Sequence, residues 1–187
     1  MGNVLIIAYG NPLRCDDGLA WRAAEELECV PFSVRPVIHT CFQLTPELAL
    51  QVSAASTVVF VDAGRTGEPG SLSMTEVFAK QESSVFTHEF SPSSILALSQ
   101  ELYAKRPLRA VSLSMSGQCF EHGEQLSDRV RDNLPGLVSA IQRVVEQATT
   151  PDPQDCFLDF FVDEEKPLKG RTISTRSVVV SNGAVLC

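Results

Sequence analysis

Two adjacent carboxylates, Asp16 and Asp17, stand between a short apolar run and a segment of helical periodicity. The run Val4-Leu5-Ile6-Ile7-Ala8-Tyr9 is too short for a helix and rich in branched residues, as a buried strand requires. Gly10-Asn11-Pro12-Leu13-Arg14-Cys15 then makes a turn, and apolar residues recur at helical spacing over 19–27. Strand, turn, acidic pair and helix place two carboxylates at the mouth of an α/β sheet, where ligands bind. That mouth is acidic where a nucleotide site would be glycine-rich, so it suits a cation or a polar peptide better than a phosphate. Asp62 follows a second apolar run, Thr57-Val58-Val59-Phe60-Val61, and His88 lies within Phe86-Thr87-His88-Glu89-Phe90. Two carboxylates and an imidazole form a hard-to-borderline ligand set, suited to nickel, zinc, manganese or iron. Each residue also has an ordinary structural alternative. Asp16 and Asp17 could cap the following helix, and Asp62 could build the turn with Ala63 and Gly64. His88, like His39 and His122, could be a surface or structural histidine. Asp16 is the better candidate for the cap, which frees Asp17 to face the crevice.

The rest of the chain supplies the elements that must position these groups. Residues 32–38 read as a strand, with Pro36 suited to an edge. Residues 44–50 open a helix, with Thr45 as N-cap and Pro46 at its first position. A turn at 67–70 leads to an alternating edge strand or hairpin at 71–78. Ser91-Pro92 starts a helix carrying Ile95, Leu96, Leu98 and Leu102 on one side. Residues 109–115 form another strand, and 126–147 a long closing helix in which Pro135 marks a late start or a kink. This alternation predicts one α/β domain over 1–148: a mostly parallel, twisted sheet of about five strands with helices on both faces. Residues 149–187 form a C-terminal appendage of unassigned role, with a Pro-rich acidic linker and an Asn182-Gly183 hairpin signal. A packing or oligomerisation element is its ordinary reading.

Composition narrows the function. A chain of 187 residues holds one ordinary domain, and a net charge of −8 without any basic cluster excludes a general nucleic-acid role. No apolar run approaches the ~20 residues of a membrane span, and the start carries no leader pattern, so a cytoplasmic location is expected. Six cysteines without a C-x-x-C pair suit reduced thiols better than a zinc ribbon or a disulfide framework. Neither G-x-G-x-x-G nor a P-loop is present, and the serines of 112–117 lack the G-x-S-x-G elbow. A cysteine hydrolase built from Cys15 or Cys41 with His88 is a weak competing pattern.

Four segments in order resemble the nickel-iron hydrogenase maturation endopeptidases. They are Gly10-Asn11-Pro12-Leu13-Arg14-Cys15-Asp16-Asp17-Gly18, Val59-Phe60-Val61-Asp62-Ala63, Thr87-His88-Glu89-Phe90-Ser91-Pro92, and Phe120-Glu121-His122-Gly123-Glu124-Gln125-Leu126-Ser127. The resemblance covers residues 1 to about 147. The Gln43-Leu44-Thr45-Pro46-Glu47-Leu48 run is similar to the branch serving bidirectional, NAD(P)-linked hydrogenases. The family often has Glu where Asp17 stands; one methylene less still permits coordination.

The resemblance implies an endopeptidase that removes the C-terminal extension of a nickel-loaded hydrogenase large-subunit precursor. It makes Asp17, Asp62 and His88 the metal-engaging and catalytic residues, with Gly10, Asn11 and Gly18 shaping the loop that holds Asp17. The nickel arrives with the substrate, so the site is expected to be empty at rest. The implied partner is that one protein, with no nucleic acid and no membrane. The alternative is a nickel-dependent binding module or chaperone that keeps the ligands but no longer cuts.

Overall fold

The apolar runs become the central strands of one sheet in the computed structural model, which describes residues 2–80, 90–149 and the strand 177–180. In chain order the elements are β1 (Val4–Tyr9), a 3-10 turn (Cys15–Gly18), α1 (Leu19–Leu27), β2 (Val37–Cys41), α2 (Leu48–Ala54), β3 (Thr57–Gly64), β4 (Leu72–Glu76), α3 (Pro92–Tyr103), β5 (Arg109–Ser116), α4 (Asp128–Thr149) and β6 (Ser177–Val180). The strands lie in the order β2-β1-β3-β5-β4-β6. The first four are parallel, while β4 runs antiparallel to β5 and β6 antiparallel to β4. The expected mostly parallel sheet is therefore present, and a strand from the appendage extends it.

Side-chain alternation along the strands divides the interior in two. Ile6, Ala8, Val59 and Val61 pack with Leu19, Ala23 and Leu27 of α1 and with Leu137, Ile141 and Val145 of α4. Leu5, Ile7, Val58 and Phe60 pack with Leu48 and Val52 of α2 and with Ile95 and Leu96 of α3. Both faces of β1 and β3 are thus covered, which is why these strands read as unbroken apolar runs.

Several boundaries differ from the sequence reading. β2 spans Val37–Cys41, because its pairing with β1 starts at Leu5 opposite Val37, directly after Pro36, which has no N–H to donate. α2 starts at Leu48: the amides of Leu48 and Ala49 bond to the carbonyls of Thr45 and Pro46 at 3.1 and 3.0 Å, so the expected first turn is a tight turn leading into the helix. In α3 the buried stripe is Ile95, Leu96 and Ser99, whereas Leu102 is exposed. The Ser99 hydroxyl is drawn inward by donating to the Lys105 carbonyl at 3.0 Å, beside Ala104 in a left-handed conformation. α4 continues through Pro135, which is exposed, so the carbonyl that loses its helical partner there is open to water. The linker and the Asn182-Gly183 hairpin signal lie outside the described residues.

Candidate functional site

The chain leaves β1 to build β2 on one side and then β3 on the other, so β1 and β3 flank a topological switch point. Loops at the carboxyl ends of such strands diverge and open a crevice. Asp17 follows β1, and Asp62 lies near the end of β3. Residues distant in sequence converge because the strand order reverses there.

The opening loop is shaped by close approaches. Gly10 has φ +140, and a Cβ there would collide with the Asp17 carbonyl oxygen. A Cβ on Gly18 would come within 2.9 Å of Pro12 Cα. The Asn11 side chain accepts the Leu13 amide at 2.9 Å, and the Asn11 amide donates to Asp17 Oδ2 at 2.9 Å. The loop is braced from α1 by Trp21, whose indole N–H donates to the Gly10 carbonyl at 2.9 Å and whose ring meets Phe42 edge-on at 5.6 Å. Gly, Asn and Gly are therefore the residues that fold this loop tightly against Asp17.

Asp62 is held differently. The Tyr9 hydroxyl donates to its Oδ2 at 3.0 Å, and Ser114 stands opposite it on β5. Oδ1 is buried with no hydrogen-bond partner among the described residues. Burial pushes the Asp62 carboxyl above its usual range, partly offset by the Tyr9 and Ser114 hydroxyls and reinforced by the nearby charge of Asp17. The Tyr9 phenol is likewise raised, by burial first and then by Asp62. Because the folded carboxyl holds its proton to higher pH than the unfolded one, Asp62 subtracts stability as pH rises from about 3.9 through its raised value. Asp62→Asn is therefore expected to be more stable than wild type at pH 7 by roughly 1 kcal/mol, with the gap closing in acid. Denaturant titrations at several pH values read this directly, and a less stable variant at neutral pH would contradict it.

Asp16 does not cap α1, whose N-cap is Gly18 without a side-chain bond. Its carboxylate is fully buried and reaches across the fold. Oδ2 accepts the amides of Gln118 (2.7 Å) and Cys119 (2.8 Å) and the Ser127 hydroxyl (2.8 Å), while Oδ1 accepts the Ser127 amide (2.7 Å). Burial alone would raise this carboxyl, but the four bonds together hold it below the usual carboxylate range. Further bonds tie the same two segments: Cys15 N–H to the Gly123 carbonyl at 2.6 Å, Gly123 N–H to the Leu13 carbonyl at 2.9 Å, and Arg14 Nε to the Phe120 carbonyl at 3.1 Å. The Arg65 guanidinium stacks 4.5 Å from the centre of the Phe120 ring. The opening motif and the Phe120-to-Ser127 segment are one physical unit, with Asp16 as its shared anion.

The third expected residue, His88, lies outside the described residues. His39 sits in β2 opposite Ile7, and His122 is exposed on the segment after Phe120. Among the described residues no three His, Cys, Asp or Glu side chains are grouped to hold a metal ion. Of the expected set, Asp17 and Asp62 lie among the described residues, and Asp62 Oδ1 has no hydrogen-bond partner there. Cys15 and Cys41 are poorly disposed as catalytic nucleophiles. The Cys15 thiol is pushed up to about 11, by its hydrogen bond to Cys119 first and then by burial, and burial also raises Cys41.

The fold is similar to that of solved nickel-iron hydrogenase maturation proteases. The hydrogenase maturating endopeptidase HybD from E. coli superimposes with a TM-score of 0.62 at 16% identity, over 79% of this chain and 94% of that one. The NiFe hydrogenase maturation protease HycI from Thermococcus kodakarensis KOD1 gives 0.61 at 21% identity, over 77% and 92%. HybD from Thermococcus kodakarensis gives 0.57 at 20% identity, over 76% and 99%. At these identities the likeness is one of fold. No protein-family model matches the chain, and no curated protein matches it by sequence.

Proposed function

We propose that this protein is an endopeptidase that removes the C-terminal extension of the nickel-loaded large subunit of a nickel-iron hydrogenase. One observation supports the reading: Asp17, in the turn after β1, lies near enough to Asp62, towards the end of β3, to influence its carboxyl, and Asp62 Oδ1 is buried with no partner among the described residues. The resemblance of the opening loop and the segment around His88 to those endopeptidases supports the same assignment. The Gln43-Leu44-Thr45-Pro46-Glu47-Leu48 run supports a bidirectional, NAD(P)-linked hydrogenase as the source of the precursor, and the scattered thiols support a cytoplasmic setting.

In this reading nickel is part of the substrate and enters with the precursor. Asp17 and Asp62 offer carboxylate oxygens to it, and His88 an imidazole, so only a loaded precursor seats fully. A metal ion beside a peptide polarises the carbonyl to be attacked. Asp62, whose carboxyl burial pushes above its usual range, is the group in this reading that takes the proton of the attacking water. Tyr9 fixes the orientation of that carboxyl through Oδ2 and leaves Oδ1 for the substrate.

The deciding experiment is the mass of a nickel-loaded large-subunit precursor after incubation with wild type and with Asp17→Ala, Asp62→Ala and His88→Ala. Loss of a C-terminal peptide with wild type alone supports the endopeptidase and its three-residue site together. An uncut precursor held in a nickel-dependent complex would instead make this a binding module on a protease fold.

A further inference from the structure

Two thiols sit at the joint between the opening loop and the 118–127 segment and have no part in the chemistry above. The Cys15 side chain hydrogen-bonds to that of Cys119. Asp16, next to Cys15, ties the two segments twice: its N–H donates to the Cys119 carbonyl at 3.0 Å, and its Oδ2 accepts the Cys119 N–H at 2.8 Å. Cys15 adopts a left-handed conformation, φ 46, which a non-glycine residue takes only where surrounding bonds impose it. The bare Cα of Gly123 leaves room for its sulfur: a Cβ there would lie 3.0 Å from Cys15 Sγ. Both thiols are partly exposed, and Cys119 also lines an open cleft, so a small oxidant can reach the pair. Two free, partly exposed thiols on segments that neighbouring hydrogen bonds hold side by side are placed for a disulfide to join them.

We propose that Cys15 and Cys119 form a reversible disulfide under peroxide, covalently fastening the opening loop to the 118–127 segment at the mouth of the site. The Cys119 sulfur attacks hydrogen peroxide, the O–O bond breaks, and a sulfenic acid and water result. The second sulfur then displaces the hydroxyl, forming the S–S bond and a second water. In sum two thiols and one peroxide become one disulfide and two waters. A low-molecular-weight dithiol reverses the reaction by exchange. The oxidised joint is covalently fixed beside the loop that holds Asp17, so a precursor that must adjust this rim to seat is processed more slowly. This last consequence rests on the function proposed above, whereas the disulfide does not.

The test uses the full chain with hydrogen peroxide, read by intact mass and by peptide mapping without reductant. The expected result is a loss of two hydrogen atoms, with the Cys15 and Cys119 peptides linked and released by dithiothreitol. Cys15→Ser and Cys119→Ser each abolish the link, and Cys29→Ser leaves it intact. Linkage of either thiol to Cys29, Cys41, Cys156 or Cys187, or over-oxidation of both without linkage, overturns the proposal. Precursor processing is then followed on the same samples: oxidised wild type is slowed and recovers with dithiothreitol, and Cys15→Ser is indifferent to peroxide. A precursor uncut by reduced wild type counts against the protease function alone, since the mass result stands apart from it.

Discussion

Replacing Asp16 with alanine is expected to lower the unfolding free energy by about 3 kcal/mol or more, the scale of leaving several buried donors without their charged acceptor. The carboxylate is the acceptor for three backbone amides and one hydroxyl, all from residues 118–127. Without it those donors stay where the loops hold them, facing a cavity with no acceptor. Asparagine does little better, because its amide offers one acceptor oxygen and turns two further donors toward the cluster. The sign of the pH dependence follows from the depressed folded pKa. Asp16 contributes its full stability above the ordinary carboxylate value of about 3.9, and the contribution is lost as pH falls through the lower folded value. Denaturant unfolding at neutral pH gives the magnitude, and the acid limb should flatten in the variant. A loss below about 1 kcal/mol would mean that the 118–127 segment is held by something other than this anion.

Asp17 should behave in the opposite way, with little effect on folding and a large one on cleavage. Its side chain makes one bond within the loop, from the Asn11 amide, so Asp17→Ala should cost about 1 kcal/mol or less. Precursor processing should fall at least about 1,000-fold, the scale on which a charged group in contact with the reacting centre acts. Asp17→Asn separates shape from charge. It keeps an acceptor for the Asn11 amide but removes the anion offered to the incoming cation, so it should be as inactive as alanine. Full processing by Asp17→Asn would reduce Asp17 to a loop-forming residue. On the proposed function the two carboxylates act as a unit, so combining Asp17→Ala with Asp62→Ala should add little further loss. Rates of appearance of the trimmed precursor, beside thermal melts of each variant, distinguish these outcomes.

The comparison of sequence with structure divides along physical lines. β1, β3 and β5 were legible because strands buried on both faces must be continuous apolar runs, and α3 because Ser91 and Pro92 mark a helix start whose capping box the structure contains. The loop around Asp17 was legible from Gly10, Asn11 and Gly18, since close backbone contacts demand such residues. Asp16 was misread as a local cap. Its partners lie more than a hundred residues away, and nothing local distinguishes a carboxylate that caps the next helix from one that bridges to another loop. The Phe120-to-Ser127 segment carried the missing signal, for Gly123 and Ser127 make sense only against Cys15 and Asp16. Leu102 was placed inside because helical spacing cannot reveal where the neighbouring helix ends.

The pairing of β6 with β4 has a consequence of another kind. β4 is five residues long and bonds to β5 along one side only, so its other side is a row of backbone donors and acceptors. Such a row templates strand addition by whatever chain arrives first. The protein's own tail satisfies it, which makes residues 177–180 a guard against self-association. Cutting the chain after Thr149 would therefore change its colloidal behaviour before it changed its chemistry.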